Sequence, residues 1–312
     1  MSGWAVGESG TILATTGSGS VWEHESAGTT AALNGVATTD GMSVWAVGDS
    51  GTILTTSSGG ASWGTQDSPS GAELNDVTFS DGSHGWTVGD SGTILATTSA
   101  GSKWGVQTAG TTAALHSVAF PDALHGWAVG AGGTILFTKN GGGLWRPQVS
   151  GTTADLRAVS FAGVKLGWAV GTGGTVLVTR NGGATWTLQR SVASAMLLGV
   201  RFPDAFHGWV VGGNGTVLFT QTGGSVPAPG ILALRPASGR RGATVTITGF
   251  GFGDTRGFGF VRFGARKCGA YLSWSAGSIT CKVPARAKFG TVRVTVTTPL
   301  GKSNARNFRV KR

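Results

Sequence analysis

Short apolar stretches alternate with clusters of glycine, serine, threonine and aspartate along the first two thirds of the chain. In residues 115–150, predicted strands begin at Leu115, Trp127, Thr134 and Trp145, and glycine-rich or polar turns separate them. A strand of about five residues has the usual length, and no segment shows the periodicity of an amphipathic helix. The pattern therefore predicts units of four short strands joined by tight turns.

This unit recurs along the chain at an interval of 41 residues. The sequence GWAVG, followed by GTIL, returns with its tryptophan at Trp4, Trp45, Trp86, Trp127, Trp168 and Trp209. A second tryptophan keeps the same interval at Trp22, Trp63, Trp104, Trp145 and Trp186. A four-stranded repeat of about 40 residues is typical of a β-propeller blade. Because one such sheet cannot bury both faces alone, we expect the tryptophan and valine of GWAVG to fill the layers between blades.

Composition fits this prediction and separates two regions. Glycine provides 56 of the 312 residues, which suits many tight turns. The longest apolar runs are shorter than the roughly 18 residues that span a bilayer. The first repeat begins at once, without a signal peptide, and we expect a natural upstream part. Residues 1–230 have a net charge of −5 and residues 231–312 one of +15, so a domain boundary is predicted at residues 225–230.

The turn between the third and fourth strands carries the residues of a known repeat. Residues 179–186 are TRNGGATW, residues 138–145 differ by Leu144 at the threonine position, and residues 56–63 and 97–104 match more weakly. The turn resembles the Asp-box of BNR-repeat propellers. With GWAVG and GTIL, residues 1–224 are similar to the photosystem II assembly and stability factor family. The resemblance implies a propeller whose Asp-box turns are structural and peripheral.

The two ends of the repeat region are partial. The first copy lacks its Leu-x-x-Val strand, and Pro227 stands where the sixth copy should have its last tryptophan. We predict an all-β chain with a six-bladed propeller in residues 1–224. The resembled family has seven blades, so an incomplete seven-bladed propeller is the alternative.

Residues 231–312, after a linker at 225–230, are predicted to form a second β domain. The predicted strands are Thr244–Thr248, Phe260–Phe263, Ile279–Val283, Thr291–Thr297 and Asn307–Val310. The segments RPASGRRGATVTITGFGFG, VRFG, ITCKVP and GTVRVTV resemble those of IPT/TIG domains. That resemblance implies an immunoglobulin-like β-sandwich and does not fix its function, because such domains serve as spacers, nucleic-acid modules or dimer modules.

The two cysteines of the chain, Cys268 and Cys281, both fall in this second region. Their placement on neighbouring predicted strands suits a disulfide, which would close a loop of about 15 residues and stabilise the fold by about 3 kcal/mol. Since structural disulfides persist in oxidising compartments, the pair predicts an extracellular or cell-surface protein. The alternative is two buried thiols in a cytosolic protein.

Some polar residues share one phase of the repeat. Glu8, Asp49 and Asp90 fall in the turn between the second and third strands, which predicts an acidic arc on one propeller face. This arc could bind a cation or a basic partner, or its members could be solvated turn residues. The histidines that precede GW lie at His84, His125 and His207. On successive blades they cannot converge on one zinc ion, so we interpret them as turn residues.

The sequence lacks the residue patterns that the enzymes built on propellers need. A sialidase needs a tyrosine nucleophile, and the only tyrosine, Tyr271, lies outside the propeller. A glycosidase needs two carboxylates about 5–9.5 Å apart, and nothing in the sequence pairs Asp76, Asp122, Asp155 or Asp204. We expect no enzyme activity, cofactor or metal. A sialidase-like or glucanase-like glycoside hydrolase remains an alternative, as does an assembly factor for a membrane protein complex.

The charged residues do not follow the 41-residue repeat. Basic residues concentrate in the last blades, at Arg146, Arg157, Lys165, Arg180, Arg190 and Arg201. In the second domain a candidate anion-binding patch comprises Arg240, Arg241, Arg262, Arg266, Lys267, Arg309, Lys311 and Arg312. The leading hypothesis is an exported, monomeric binding or scaffold protein. Its propeller would bind a protein or glycan, and its basic domain would bind an anionic polymer or membrane surface rather than nucleic acid.

Overall fold

The computed structural model describes residues 2–189, 191–224, 229–253, 256–257, 259–298 and 301–312. Arg190 and Pro227, which entered the sequence analysis, lie outside these ranges. The chain forms two compact units, residues 1–224 and 225–312. Both consist of β-strands, and none of the helical segments in the described ranges has the length and apolar character needed to cross a bilayer.

Within residues 1–224, the described part of the chain forms six antiparallel sheets, numbered here as blades 1 to 6 in chain order. Blades 1 and 6 have three described strands each: β1 (Gly3–Val6), β2 (Ile12–Thr15) and β3 (Glu23–Glu25); and β20 (Leu197–Arg201), β21 (Gly208–Gly212) and β22 (Val217–Thr220). Blades 2 and 3 have four: β4 (Leu33–Thr38), β5 (Val44–Gly48), β6 (Ile53–Thr56) and β7 (Gly64–Thr65); and β8 (Leu74–Phe79), β9 (Gly85–Gly89), β10 (Ile94–Thr97) and β11 (Gly105–Val106). Blades 4 and 5 also have four: β12 (Leu115–Ala119), β13 (Gly126–Gly130), β14 (Ile135–Thr138) and β15 (Arg146–Pro147); and β16 (Leu156–Ala162), β17 (Leu166–Gly171), β18 (Val176–Thr179) and β19 (Thr187–Gln189).

A short 3-10 turn joins the second and third strands of blades 2 to 5, and an equivalent turn joins β1 and β2 of blade 1. These turns are Glu8–Gly10, Asp49–Gly51, Asp90–Gly92, Ala131–Gly133 and Thr172–Gly174. The last residue of each turn must be glycine for a physical reason that Gly92 illustrates. Its φ is 71°, which disfavours a side chain, and an added Cβ would collide with the carbonyl oxygen of Thr111. The repeated GT of the sequence is therefore fixed by backbone geometry.

The first tryptophan of each of blades 2 to 5 fills the layer between that blade and the next one. Trp86 stacks on Phe120 of the next blade, with ring centroids 3.5 Å apart, and its Nε1 donates to the Gly141 carbonyl oxygen at 3.0 Å. Trp45, Trp127 and Trp168 stack on a phenylalanine in the same way. The predicted inter-blade role of these tryptophans is confirmed at these four positions, where the ring area buried makes a large contribution to stability.

The fourth strand differs from its prediction. A strand of about five residues starting at Trp145 was expected, and the structure has only Arg146–Pro147. Trp145 instead turns toward the preceding blade, where its Nε1 donates to Gln107 Oε1 at 2.9 Å. The side chain of Trp145 therefore links blade 4 to blade 3.

Residues 229–312 form a sandwich of two sheets. One has the order β23 (Gly230–Arg235), β25 (Thr244–Phe250), β29 (Ser278–Lys282) and β28 (Tyr271–Trp274). The other has the order β24 (Ser238–Arg240), β32 (Arg306–Lys311), β30 (Gly290–Thr298), β26 (Phe260–Phe263) and β27 (Arg266–Lys267), with β31 (Gly301–Lys302) paired to β30. Phe252, Phe263 and Phe308 are buried between the sheets. The structure confirms the predicted all-β class with an immunoglobulin-like second domain.

Candidate functional site

The first strands of blades 2 to 6 line one central cavity of about 730 Å³. In each strand the leucine of Leu-x-x-Val, from Leu33 to Leu197, is almost completely buried. The strand pairing is irregular directly after this leucine in each of the five strands, and the next residue lies in the cavity wall. These cavity-facing residues are Asn34, Asn75, His116, Arg157 and Leu198. They vary from blade to blade while the leucines do not, and they give the cavity wall a changing polarity.

One side of the cavity mouth is acidic. Asn34 Nδ2 donates to Asp49 Oδ1 at 3.3 Å and to Glu73 Oε1 at 3.4 Å. Asn75 Nδ2 donates to Asp90 Oδ1 at 3.1 Å. Burial raises the pKa of Glu73, and the nearby Asp49 and Asp90 raise it further. Two members of the predicted acidic arc, Asp49 and Asp90, therefore lie around a third carboxylate, which sequence reasoning missed.

Glu8, the third predicted member of the arc, begins the same turn of blade 1 and is exposed. Blade 1 has no described Leu-x-x-Val strand beside that turn, so no asparagine equivalent to Asn34 holds its carboxylate. A signal for Glu73 was present in the sequence. In blades 2 to 6, the residue that precedes the leucine of the first strand is Ala32, Glu73, Ala114, Asp155 or Met196. The two acids at this position, Glu73 and Asp155, both lie at the mouth.

The opposite side of the mouth carries Arg157 and His116. Arg157 Nη2 bonds to Asp155 Oδ2 at 3.3 Å, while Asp155 Oδ1 accepts from the Gly132 amide at 2.9 Å. Arg157 Nε is buried and has no hydrogen-bond partner within the described part of the chain. Burial lowers the pKa of His116, and the Arg157 charge lowers it further. Of the six predicted basic residues of the last blades, Arg157 and Arg201 line the cavity.

Asp76 bridges the inner strands of two blades within the cavity wall. Its Oδ2 accepts from Ser117 Oγ at 2.8 Å and from the Val118 amide at 2.9 Å, and its Oδ1 accepts from the Val77 amide at 2.8 Å. Ser117 Oγ in turn accepts from the Val159 amide at 3.3 Å. Burial raises the pKa of Asp76 to about 6 despite these hydrogen bonds. Oδ2 of Asp76 thus links its strand to the next blade, and Oδ1 is engaged within its own strand.

The in-phase histidines each pair with an aspartate of their own turn. His84 Nδ1 lies 2.9 Å from Asp81 Oδ2, and His207 Nδ1 lies 2.8 Å from Asp204 Oδ2. His125 forms the corresponding contact with Asp122 at 3.0 Å. No group of three His, Cys, Asp or Glu side chains suited to a metal ion occurs within the described ranges. These histidines cap turns of separate blades, consistent with their interpretation as turn residues.

The Asp-box turns are held by their own side chains. Asn140 Oδ1 accepts from the Leu144 amide at 3.0 Å, and Thr138 Oγ1 accepts from the Gly142 amide at 3.0 Å. In the next blade Asn181 Oδ1 accepts from the Thr185 amide at 2.9 Å. The asparagine and threonine side chains that recur in these turns are therefore engaged within the turn, as the resemblance to structural Asp-boxes implies.

In the second unit, the strand register places arginine and lysine side chains on one face of the larger sheet. Val292, Val294, Phe308 and Val310 point into the core, so their neighbours in the strands point to solvent. The outward cations are Arg240, Arg262, Lys267, Arg293, Arg309 and Lys311. We call these six residues the cationic face. Arg293 was missing from the predicted anion-binding patch.

Three residues of the predicted patch are arranged differently. Arg241 lies over the Phe289 ring, 3.8 Å from its centroid, and its Nε donates to the Ala287 carbonyl oxygen. Arg266 pairs in register with the inward-pointing Phe263, so it does not share the direction of Arg262. Arg312 follows the last strand. The cationic face is therefore a narrower and more regular set than the sequence indicated.

The two cysteines lie side by side in the sandwich. Both are buried free thiols, and Cys268 Sγ donates to the Lys282 carbonyl oxygen at 2.8 Å. A hydrogen bond between the two thiols, together with burial, raises the pKa of Cys281. Cys281 lies in β29, whereas Cys268 follows β27 of the other sheet, so the prediction of neighbouring strands is wrong although the two side chains are in contact. The disulfide itself stays a prediction.

Comparisons with known proteins point to the same two units. Residues 60–146 and 96–190 match the model of the photosynthesis system II assembly factor YCF48, and residues 229–310 match that of the IPT/TIG domain. No curated protein matches the chain.

Several solved structures resemble the fold. YCF48 bound to D1 peptide is 19% identical, with a TM-score of 0.59 over 90% of this chain and 88% of that one. YCF48 from Cyanidioschyzon merolae is 18% identical, with a TM-score of 0.59 over 90% and 91%. The RRP9 WD40 repeats are 11% identical, with a TM-score of 0.60 over 70% and 76%. The chain is thus a β-propeller similar to that of YCF48, followed by a C-terminal IPT/TIG domain.

Proposed function

We propose that this chain is a non-enzymatic binding protein whose propeller holds a polypeptide segment at the mouth of the central cavity. The observation that carries the proposal is the set of cavity-facing residues, Asn34, Asn75, His116, Arg157 and Leu198. They change from blade to blade on a frame that otherwise repeats without insertions. Residues that are not needed for the scaffold, and that converge on one cavity, are the natural place for recognition.

The chemistry of the mouth fits a polypeptide better than a neutral glycan. The acidic side, with Asp49, Glu73 and Asp90, suits a lysine, an arginine or an amino terminus. Arg157 keeps an unpartnered, buried Nε within the described ranges, and its planar guanidinium suits a carboxylate. A peptide segment carries both charges within one short length. YCF48, whose fold is similar, has been solved with a D1 peptide bound, which supports a binding or assembly role for this propeller.

Selection from a displayed library of short peptides tests this proposal. Peptides selected on the whole protein should lose affinity for the variants Arg157→Ala and Glu73→Gln, because each removes one charge of the mouth. The matched control is Arg146→Ala, which removes an exposed arginine from the outermost strand of blade 4. If no peptide is selected, or if the selected peptides bind all three variants alike, the cavity mouth is not the binding site.

A glycoside hydrolase is the alternative that the same cavity must be tested against. The buried acid Asp76 accepts three hydrogen bonds, two from the neighbouring inner strand and one from its own strand, which supports a structural role. A glycan screen distinguishes the two functions. Turnover that disappears in a single carboxylate variant of the mouth would replace the binding proposal with an enzyme.

A second function is supported by the cationic face of the IPT/TIG domain. Six cations on one sheet attract an anionic polymer or membrane surface through counterion release and surface potential. We propose that this face tethers an exported protein to such a surface, outside the cell or on its envelope. The neighbouring thiols Cys268 and Cys281 support export because their arrangement suits a disulfide.

Binding of the whole protein to polyphosphate, and to vesicles with and without anionic lipid, tests the tether. Replacing Arg262, Arg293 and Arg309 by glutamine should weaken binding and reduce its salt dependence. The control replaces Arg235 and Lys282, which lie on strands of the other sheet. Binding that does not change with salt, or that the control variant weakens equally, would refute the tether.

A further inference from the structure

Four arginines of the cationic face follow one diagonal line across the larger sheet of the IPT/TIG domain. Arg262 of β26 pairs with Thr295 of β30, and Arg293 lies two residues before Thr295 on that strand. Arg293 in turn pairs with Asn307 of β32, and Arg309 lies two residues beyond Asn307. Each step from one arginine to the next therefore crosses one strand and moves two residues along it, in the same direction both times.

The line continues onto β24 with the same step. Arg309 pairs with Ser238, and Arg240 lies two residues further along β24. From the usual strand spacing and rise, the Cα atoms of consecutive arginines are about 8 Å apart, and the line of four is about 25 Å long. We call this line the arginine row, and it consists of Arg262, Arg293, Arg309 and Arg240.

The surroundings of the arginine row leave its charge available. Asp254 is the one acid of residues 231–312 and lies outside the described ranges, so no aspartate or glutamate side chain in the described part of this domain offsets the row. A depression of about 640 Å³ opens beside the middle of the row, where Arg293, Arg306 and Asn307 line it. The row is thus a line of positive charge with space for a ligand next to it.

The residue type within the row indicates what it binds. The row itself consists of arginines, and the two lysines of the cationic face lie at its ends, Lys267 opposite Arg262 and Lys311 opposite Arg240. A planar guanidinium donates two parallel hydrogen bonds to a phosphate, whereas a lysine acts as a point charge. Four guanidinium groups at equal steps therefore match phosphates that follow one another along a chain. The charges of a membrane are spread over two dimensions, and a straight row offers no advantage for binding them.

Aromatic stacking, which single-stranded nucleic acid uses, is poorly provided on this face. Among the described strand residues of the face, the aromatic one is Phe260. The Lys267 Nζ lies 4.1 Å from the centroid of its ring, and the Arg262 guanidinium carbon lies 5.3 Å from it. Because bases bind proteins of this kind by stacking on open aromatic rings, the covered ring favours a polymer without bases.

We propose that the arginine row binds a single extended, linear polymer that carries phosphate groups along its chain and has no bases. The polymer crosses β26, β30, β32 and β24 along the diagonal. This inference rests on the tether proposed above, and it narrows the partner of the cationic face from any anionic polymer or surface to this class of polymer.

A variant that moves one charge without removing it tests the row. Thr291→Arg combined with Arg293→Gln keeps the charge of the face and shifts one cation along β30 by two residues, or about 7 Å. Thr291 is exposed. In the whole protein this variant should bind long-chain polyphosphate about tenfold more weakly than the wild type, as expected for the loss of one charged hydrogen-bonding contact. The matched control, Ala285→Arg with Arg286→Gln, moves a charge within an exposed turn outside the strands and should bind like the wild type. Equal melting temperatures of the two variants verify that both fold.

Chain length gives a second measurement. The affinity of the wild type should rise from tripolyphosphate to longer polyphosphates and level off once the chain spans the row, about 25 Å. An affinity that does not depend on chain length would contradict the row.

The outcomes separate the row from the tether itself. If the charge-shifted variant binds polyphosphate as tightly as the wild type while binding still weakens with salt, the row is wrong and the tether stands. If the wild type binds neither polyphosphate nor anionic vesicles, both are wrong. The row is also wrong if vesicles are bound more tightly than long polyphosphate at equal charge concentration, because a membrane is then the partner. Binding of oligodeoxythymidine more than tenfold tighter than that of polyphosphate would likewise overturn it, because bases would then contribute.

Discussion

Asp76 makes the stability of the propeller depend on pH in a direction opposite to that of most carboxylates. Its side chain links two inner strands through the Ser117 hydroxyl and the Val118 amide. Burial raises its pKa from 3.8 to about 6. The folded protein therefore holds this proton more tightly than the unfolded chain does. The stability contribution of Asp76 is greatest below pH 3.8 and falls as the pH rises to about 6.

The size of the effect is set by the pKa change. A difference of one pKa unit corresponds to about 1.4 kcal/mol, so the rise from 3.8 to about 6 corresponds to a loss of up to about 3 kcal/mol above that range. Other acids contribute as well. Burial also raises the pKa of Glu73, whereas backbone hydrogen bonds lower those of Asp81 and Asp204 to about 2. A variant is needed to separate Asp76 from this background.

Urea unfolding of the wild type and of Asp76→Asn, measured between pH 4 and pH 7, isolates the effect. The other acids titrate equally in both proteins, so they cancel in the difference. The free energy of unfolding of the wild type, relative to the variant, should fall by roughly 2–3 kcal/mol over this range. A difference that is constant with pH, or that increases, would refute the buried-acid interpretation. Asp81→Asn is the control, since its aspartate has a lowered pKa and should give no such fall.

Three further predictions concern packing, redox state and turns. Trp86→Ala should lower the free energy of unfolding by about 3–5 kcal/mol. Trp209→Ala should lower it by less than half as much, because Trp209 is partly exposed, and equal losses in urea unfolding would contradict that exposure. Thiol titration of the denatured, exported protein should find Cys268 and Cys281 oxidised, and two free thiols would argue against export. Asn181→Ala should cost about 1 kcal/mol by removing the acceptor of the Thr185 amide, as thermal unfolding can show, without changing peptide binding at the cavity; an altered affinity would give the turn a role beyond structure.

The scaffold was predictable from the sequence because its interactions recur in register. A tryptophan that returns every 41 residues should meet the same environment wherever a following blade covers it, and the buried Trp86 and Trp127 show that it does. The short fourth strand was not predictable in the same way. The side chain of Trp145 contacts Gln107, which lies 38 residues earlier. The contact is tertiary, and no local pattern reveals it.

The candidate site was only partly predictable, for a related reason. Asp49 and Asp90 attract attention because they share a phase, whereas Glu73 shares its phase with a single other acid, Asp155, and His116 is the one histidine in its own. Their importance comes from lying on or beside strands that converge around one cavity, and convergence is a property of how the blades are arranged. The cationic face shows the same limit. Sequence alone indicated a basic domain, and strand register decided that Arg293 joins Arg309 while Arg241 packs on Phe289 instead.

Regular repetition and recognition place opposite demands on this chain, and the structure separates them by position within the blade. The residues that face a neighbouring blade must be of the same type in each copy, because every boundary between two blades joins the same two sheet faces. The residues that face the cavity meet no neighbour of fixed identity, so Asn34, His116 and Arg157 can differ without disturbing the frame. The same reasoning explains why blade 6 is informative. The sheet face of blade 6 that points away from blade 5 keeps the residue types that are buried at the other boundaries, although Trp209 and Val217 are exposed. Conversely, a cavity-facing substitution such as His116→Asn should leave the boundaries between blades intact while it changes what the mouth can bind.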